Sequence, residues 1–437
     1  MHDFSLEILL ITILGLVVVS DAIGEKLKIP SVFLLLVSSY MTYHYIPMAI
    51  PINIKDSFDT IIIFCIPLIF MGDALHLHFL DIKKYGWEIF YLAVVAVALS
   101  ITLGASLYHF DIFSGVTLGG YVALFAINMA TDAVSVQSVL SQFKDIPHQI
   151  KVLIEGESLG NDATAVIAFF FIGLPWMMSG TIDATTATID ALRVFIISIL
   201  LGMTIGYIFY MFLKLLSDRR GEFFTFIIEA YSAYILAEEM HVSGILTLIT
   251  AIIATKAWID MDIEARESPS GIPKSKSFIR LLRLDSFEAT TVARLEYIYD
   301  MAKEFGYIAA VMIFFVLAEM VNIDKLWQYR YEILVMFSIT TLIRAVSMAK
   351  FAFFGNKIDD FQSVGFEGWF VLTLSGMKGA LSIILVHMIP SSYEYKELFE
   401  VVTTGVVMLS IFGYGSTLWL YFRLKETRRD RASIFDK

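Results

Sequence analysis

The sequence predicts an all-α polytopic membrane protein, and three observations carry that prediction. Of 437 residues, 57% are hydrophobic and 17% are charged, with a mean hydropathy of +0.73. Soluble domains rarely exceed about half apolar residues. Apolar runs of spanning length recur from end to end, enough for about 13 transmembrane helices. Basic residues gather after alternate runs, the pattern left when every second connection faces the cytoplasm.

The predicted spans have cores beginning at Leu6, Val32, Thr60, Ile89, Gly115, Gln149, Leu192, Glu222, Val242, Phe305, Tyr331, Trp369 and Leu398. The first run, "LEILLITILGLVVVS", lacks a basic n-region and a small-residue cleavage site, so it is expected to be a retained helix. The spans form one predicted transmembrane domain, residues 1–437, with a long cytoplasmic loop at 259–303 and a short basic tail at 422–437. The second half of that loop is expected to form an amphipathic helix on the membrane surface. Cys65 is the one cysteine, which excludes an internal disulfide. A net charge of −11 argues against nucleic acid as a partner.

Orientation follows from the basic residues. Lys26 and Lys28 follow span one, Lys83 and Lys84 span three, and Lys144 and Lys151 span five. Lys214, Arg219 and Arg220 follow span seven, and Arg266, Lys274, Lys276, Arg280, Arg283 and Arg294 follow span nine. Lys350 and Lys357 follow span eleven, and "RLKETRRDR" follows span thirteen. The even spans are followed by few. The N-terminus is therefore expected outside and the C-terminus in the cytoplasm, in the plasma membrane of the cell.

Polar residues inside the spans mark the candidate site. Span five contains "NMATDAVSVQSVL" and span six contains "GESLGND" at 156–162. Asp132 and Asp162 lie on either side of one turnaround, each roughly ten residues from it, which places both about 15 Å deep, near mid-membrane. Intramembrane acids are by default candidates for ion or proton pathways. Ser158 and Asp162 are spaced i, i+4, as are Glu157 and Asn161, so each pair shares a helix face. Oxygen ligands from Asp132, Asp162, Ser158 and Thr131 suit a hard monovalent cation, by extension of the logic for Ca²⁺ and Mg²⁺. Crowding of Thr, Asp and Ser in "ATDAVSV" weakens helix propensity and points to a break there. For Thr131 and Ser158, simple helix-to-helix bonding is the competing reading.

Two basic residues share this depth. Arg344 is expected to be counter-charge to Glu157, since its fork fixes a carboxylate and never deprotonates. Lys378 lies between two glycines, in a segment able to unwind, and neutralises helix ends or the empty site. Asp73, toward the cytoplasmic end of span three, is a weaker candidate, as a funnel residue or a support to the site. Glu229, Glu238 and Glu239 are read as flanking span eight, lining a vestibule or meeting water. His76, His78, His241 and His387 fall at span ends and read as interfacial, with no metal-binding spacing.

Taken together these stretches resemble a known family. "ATDAVSV" and "EGESLGNDATAVIAF" are similar to the fifth- and sixth-helix signatures, respectively, of NhaP-like sodium/proton antiporters of the monovalent cation/proton antiporter family. "AYSAYILAEEMHVSGILT", "LIRAVSM", "GMKGALSIILV" and "EKLKIPSVFLLLV" resemble further elements of that family, in the same order along the chain. The resemblance implies an inverted-repeat antiporter fold, with two broken helices crossing near Asp162, and a homodimer. It implies that Asp162 takes either a proton or the cation, that Asp132, Thr131 and Ser158 complete the cation site, and that Glu157 pairs with Arg344. Asn161, a neutral amide beside Asp162, is the mark of the electroneutral branch. Na⁺, Li⁺ or K⁺ and H⁺ would be substrates, no cofactor is expected, and the role would be sodium transport and pH homeostasis. Two positions depart from the family pattern: Ala133 stands where proline is usual, and Lys378 where arginine is usual. A K⁺/H⁺ antiporter of the same fold is one alternative. An intramembrane aspartyl protease is another, disfavoured because the "GxGD" element is missing. A channel would be betrayed by flux that does not saturate.

Overall fold

The computed structural model describes residues 5–50, 54–77, 79–143, 146–216, 218–267, 292–353 and 364–435. All regular structure among them is helical. The helices are α1 (Ser5–Leu27), α2 (Ser31–Tyr45), α3 (Ile54–His76), α4 (Phe79–Phe90), α5 (Ala96–Ser106), α6 (Leu118–Ile127) and α7 (Ala133–Leu140). There follow α8 (His148–Ala168), α9 (Leu174–Ser179), α10 (Ala184–Leu213), α11 (Arg219–Glu239), α12 (Gly244–Glu267) and α13 (Val292–Met320). The chain ends with α14 (Ile323–Gln328), α15 (Arg330–Phe353), α16 (Gly365–Leu374), α17 (Ala380–His387), α18 (Lys396–Leu409) and α19 (Gly415–Phe435). Single π-helical turns, Tyr91–Val95, Phe169–Gly173 and Ser410–Tyr414, join α4 to α5, α8 to α9 and α18 to α19.

Among the described residues, nine helices are long and apolar enough to cross a membrane. Alpha-helices satisfy their own backbone groups, which is what hydrocarbon requires. Where helices start, side chains take over the orphan amides. Thr117 Oγ1 accepts from Gly120 N at 3.2 Å and Asp218 Oδ2 from Gly221 N at 3.0 Å.

The chain divides into two compact units. The first comprises Met1–Asp59, Trp87–Ala187 and Val311–Lys437, and the second Thr60–Gly86 and Thr188–Ala310. Within the first, α6 and α7 are separated by residues 128–132, and α16 and α17 by residues 375–379, none of them helical. Within the second, α11 packs along α12, and α3 is held by Tyr231, whose hydroxyl donates to Phe64 O at 2.6 Å.

Helix boundaries differ from the hydropathy reading in two places. The loop expected at 259–303 is shortened at both ends, because α12 runs to Glu267 and α13 starts at Val292. Charges such as Arg294 and Asp300 lower the local hydropathy without breaking the helix, and Arg294 is paired with Glu222 at 3.1 Å. The middle of that loop, with Lys274, Lys276, Arg280 and Arg283, lies outside the described residues, as does His78; the described part of the expected surface helix, from Val292, is instead the start of α13. The tail expected from 422 continues as α19 through Phe435.

Candidate functional site

The interruption between α6 and α7 brings the site residues together. Asp132 is the N-cap of α7, in extended conformation (φ −112°, ψ 102°). Its Oδ1 accepts from Val134 N at 3.0 Å, and its Oδ2 accepts from the Ser135 hydroxyl. Two further amides of the break find partners on α8. Thr131 N donates to Asp162 Oδ1 at 3.1 Å, and Ala133 N donates to Ser158 Oγ at 3.0 Å. Ser158 Oγ in turn donates to Thr131 O at 2.7 Å. The break therefore needs no proline at Ala133. Unpaired amides in a membrane interior are costly, and α8 satisfies them with the side chains that "GESLGND" supplies.

The second interruption meets the first. Asp132 N donates to Met377 O at 2.8 Å, and a Cβ on Gly379 would overlap the Asp132 side chain. A glycine is needed here for close approach. Ser382 Oγ donates back to Ile127 O at 2.9 Å, tying α17 to the end of α6. Lys378 N donates to Ser410 Oγ at 2.8 Å, on the π turn before α19.

Arg344 joins the two halves of the cluster. Its Nη1 and Nη2 donate to Glu157 Oε1 and Oε2 at 2.5 and 2.7 Å, a bidentate pair. Its Nε donates to Leu372 O and Thr373 O at 3.1 and 3.0 Å. Those carbonyls end α16, so the guanidinium also caps a helix C-terminus, where positive charge is favourable. Asn161 Nδ2 links the pair to the break, donating to Thr131 Oγ1 at 2.8 Å and to Glu157 Oε1 at 3.3 Å.

Thr131, Glu157, Ser158, Asn161, Asp162 and Lys378 are buried, while Asp132 is half-buried. A cavity of about 20 Å³ is lined by Glu157, Asn161, Arg344, Lys378, Ser100 and Met129, room for a single water. The predicted residues of the cluster all belong to the first unit, and Asp73, on α3, belongs to the second. Among the described residues, no group of three or more His, Cys, Asp or Glu side chains could hold a metal ion. Thr131, Asp132, Ser158 and Asp162 instead present hydroxyl, carbonyl and carboxylate oxygens, a donor set suited to a hard cation.

The structure adds residues that the sequence reading missed. Ser135 and Val134 hold the Asp132 carboxylate, and an N-cap acid followed by Ser three residues on was the available signal. Ser410 and Met377 have no local signal, since they act across the fold. Glu229 is corrected: it lies mid-helix in α11 with 0% exposure, not at a vestibule, whereas Glu238 and Glu239 are exposed at the helix end. His76 accepts or donates at Tyr299 Oη, 2.5 Å away, and His387 packs against Phe58, the rings tilted by 35° with centroids 3.6 Å apart.

The sodium/hydrogen exchanger, transmembrane, family profile matches residues 8–423. The chain is 26% identical over 360 residues to the Na⁺/H⁺ antiporter ApNhaP of Aphanothece halophytica, covering 82% of this chain and 62% of that protein. It therefore spans less than two thirds of that relative's length. It is 24% identical over 429 residues to the Na⁺/H⁺ antiporter NhaH of Halobacillus aidingensis, covering 95% of this chain and 96% of that one. The fold is similar to the sodium proton antiporter MjNhaP1 from Methanocaldococcus jannaschii, with a TM-score of 0.71 at 15% identity, over 96% and 98% of the two chains. A profile match over nearly the whole chain, with the likeness of fold, makes this a multi-pass membrane protein of the transmembrane sodium/hydrogen exchanger family.

Proposed function

We propose that the chain is a secondary active antiporter that exchanges Na⁺, and Li⁺, for H⁺ by competition at Asp132 and Asp162. The observation that carries this reading is the meeting of the two acids at one unwound segment, with Thr131 N on Asp162 and Asp132 capping the helix that resumes. Withdrawal from water favours the neutral form of a carboxyl group, and a bound cation favours the charged form. Proton and cation therefore exclude each other. Asp162 is the group that alternates between them. Asp132, whose carboxylate faces the positive end of α7, completes the cation site with Thr131 and Ser158. Ser158 has a second task, because its hydroxyl also holds the backbone of the break.

Glu157, Arg344 and Asn161 hold the architecture. The Arg344 fork balances the Glu157 charge, so Glu157 is not a carrier, and Asn161 adds no charge. One cation then replaces one proton, and the exchange moves no net charge. Lys378 contributes positive potential at the end of the second break, and Asp73 serves as a funnel residue for ions. The nine long helices, together with α2, α11 and the interrupted pairs α6–α7 and α16–α17, support thirteen passes. The two interruptions support an inverted repeat of the kind that puts broken helices at the substrate site. The whole chain acts as one transport domain, in the plasma membrane as a homodimer, with its N-terminus outside and C-terminus cytoplasmic.

Transport in proteoliposomes tests this. Na⁺ or Li⁺ should dissipate a preset pH gradient with saturation, at a rate unchanged by an imposed membrane potential. A rate that tracks the potential overturns electroneutrality. Recovery with K⁺ alone would move the substrate assignment to K⁺.

A further inference from the structure

The second unit holds a carboxyl group that the exchange scheme does not use. Glu229 is at the midpoint of α11 and has 0% exposure. Its Oε1 lies 2.5 Å from Thr255 Oγ1 on α12, and that hydroxyl lies 3.0 Å from Gly206 O on α10. Glu229 Oε2 is buried and meets no hydrogen-bond donor. The helices are close here. Gly202 and Gly206 are spaced as a GxxxG element, and a Cβ on them would come within 2.5 Å of Thr247 O and 2.6 Å of Ala251 O.

Counting protons decides the state of this group. The Thr255 hydroxyl has one hydrogen to donate, and the Gly206 carbonyl can only accept. An ionised Glu229 can only accept as well. With a carboxylate, one hydrogen must serve two close oxygen neighbours of Thr255, and a charge is buried with one oxygen unbonded. With a carboxylic acid, Glu229 Oε1–H donates to Thr255 Oγ1, and Thr255 donates to Gly206 O. Each short contact then has its own hydrogen. What remains is a single neutral acceptor without a donor, far less costly than an uncompensated buried charge.

Among the described residues, no cation is paired with Glu229. Lys256, beside Thr255 on α12, directs its ammonium to Leu75 O and Leu77 O at 2.5 and 2.9 Å. Glu222, two turns earlier on α11, takes Arg294 of α13. On α10, Tyr210 donates to Asp262 of α12, which also takes Lys214. Tyr231, two residues along α11, is bonded to Phe64 O on α3. Each of these groups is thus committed to another partner.

We propose that Glu229 is a second proton-binding carboxyl of this protein, protonated in the folded state and separate from Asp132 and Asp162, which ties α11 to α12 and α10. Its proton belongs to the fold and not to the transport cycle.

Infrared difference spectroscopy of the purified full-length protein at neutral pH tests the assignment. The C=O stretch of a carboxylic acid is distinct from the bands of a carboxylate. Wild type minus Glu229→Gln should show a lost acid band, and loss of carboxylate bands instead overturns the proposal. Thr255→Val removes the acceptor of the acid's hydrogen while keeping the side-chain shape. It should retain the acid band and move it to higher frequency. If Glu229→Gln does not fold, an unmoved band in Thr255→Val overturns the proposal by itself. The infrared readout does not depend on ion exchange, so failure here is distinct from failure of the exchange reading.

Discussion

Two regions of this molecule bury carboxyl groups in helices, and they do so in opposite ways. Around Asp132 and Asp162 the helix is broken, and the break delivers donors: Val134 N, Ser135 Oγ and Thr131 N all point at carboxylate oxygens. Around Glu229 the helix is continuous, its own amides are spent on α11, and among the described residues one hydroxyl is its partner. Hydrogen bonds to the charged form favour it, and burial without them favours the neutral form. A carboxyl in the first setting can give up its proton to a cation. A carboxyl in the second keeps it. The broken helix is thus a means of supplying donors to a membrane interior, in addition to a way of opening backbone to ions.

The largest effect expected from breaking this contrast is at Asp162. Asp162→Asn keeps a polar group of similar shape near Thr131 N and removes the exchangeable charge. Na⁺-dependent recovery of a pH gradient in proteoliposomes should fall to the protein-free background, with the protein still monodisperse on size-exclusion chromatography. A normal exchange rate in this variant would remove Asp162 from the mechanism. Glu229→Gln, the matching change in the second region, should leave the exchange rate at neutral pH close to wild type.

Next is the Glu157–Arg344 pair. Removing one member of a buried ion pair leaves the other uncompensated and costs about 3–5 kcal/mol. Arg344→Met also strips the cap from the last carbonyls of α16. The Tm should drop for Arg344→Met and for Glu157→Leu, and the double substitution should recover part of the loss. Additive losses would mean that the pair is not coupled.

Much of the broken-helix region was legible in the sequence because its signals are local. Polar residues in apolar runs stand out, and "ATDAVSV" combines poor helix formers with an N-cap acid. The i, i+4 spacing in "GESLGND" set which side chains share a face. What was not legible is the long-range bonding: that Ser158 serves the backbone at Ala133 and Thr131, or that Asp132 N bonds Met377 O some 245 residues away. No local pattern encodes a partner on a distant segment. Glu229 was misplaced for a different reason. A glutamate in an apolar run reads as a span edge, whereas the Asp218 cap starts α11 at Arg219 and carries it to Glu239, which centres Glu229. The start of α13 was missed in the same way, since charges lower hydropathy without ending a helix.

Ser158→Ala tests the backbone role apart from the ion. It leaves Ala133 N and Thr131 O without partners, at about 1–3 kcal/mol for each buried group left unsatisfied. A lower Tm is expected even in sodium-free buffer, where a pure cation ligand would make no contribution to stability. An unchanged Tm there would assign Ser158 to the ion alone.

The smallest expected effect is also the sharpest comparison, because it removes a single hydroxyl from a buried carboxyl in each region. Ser135→Ala takes one donor from Asp132 and leaves Val134 N in place. A net hydrogen bond is worth about 0.5–1.5 kcal/mol, so the apparent KM for Na⁺ should rise by roughly two- to tenfold. The direction follows from competition. A carboxylate with one donor fewer holds its charge less well, so the proton gains on the cation, and the rise in KM should be greatest at acid pH and fade as pH increases. The maximal rate should change little, since Asp162 is untouched. Thr255→Val takes the one hydroxyl from Glu229 and should leave the KM for Na⁺ unchanged at every pH. If both substitutions shift the KM alike, then donor supply at the break is not what separates the two carboxyl environments, and the contrast between them fails.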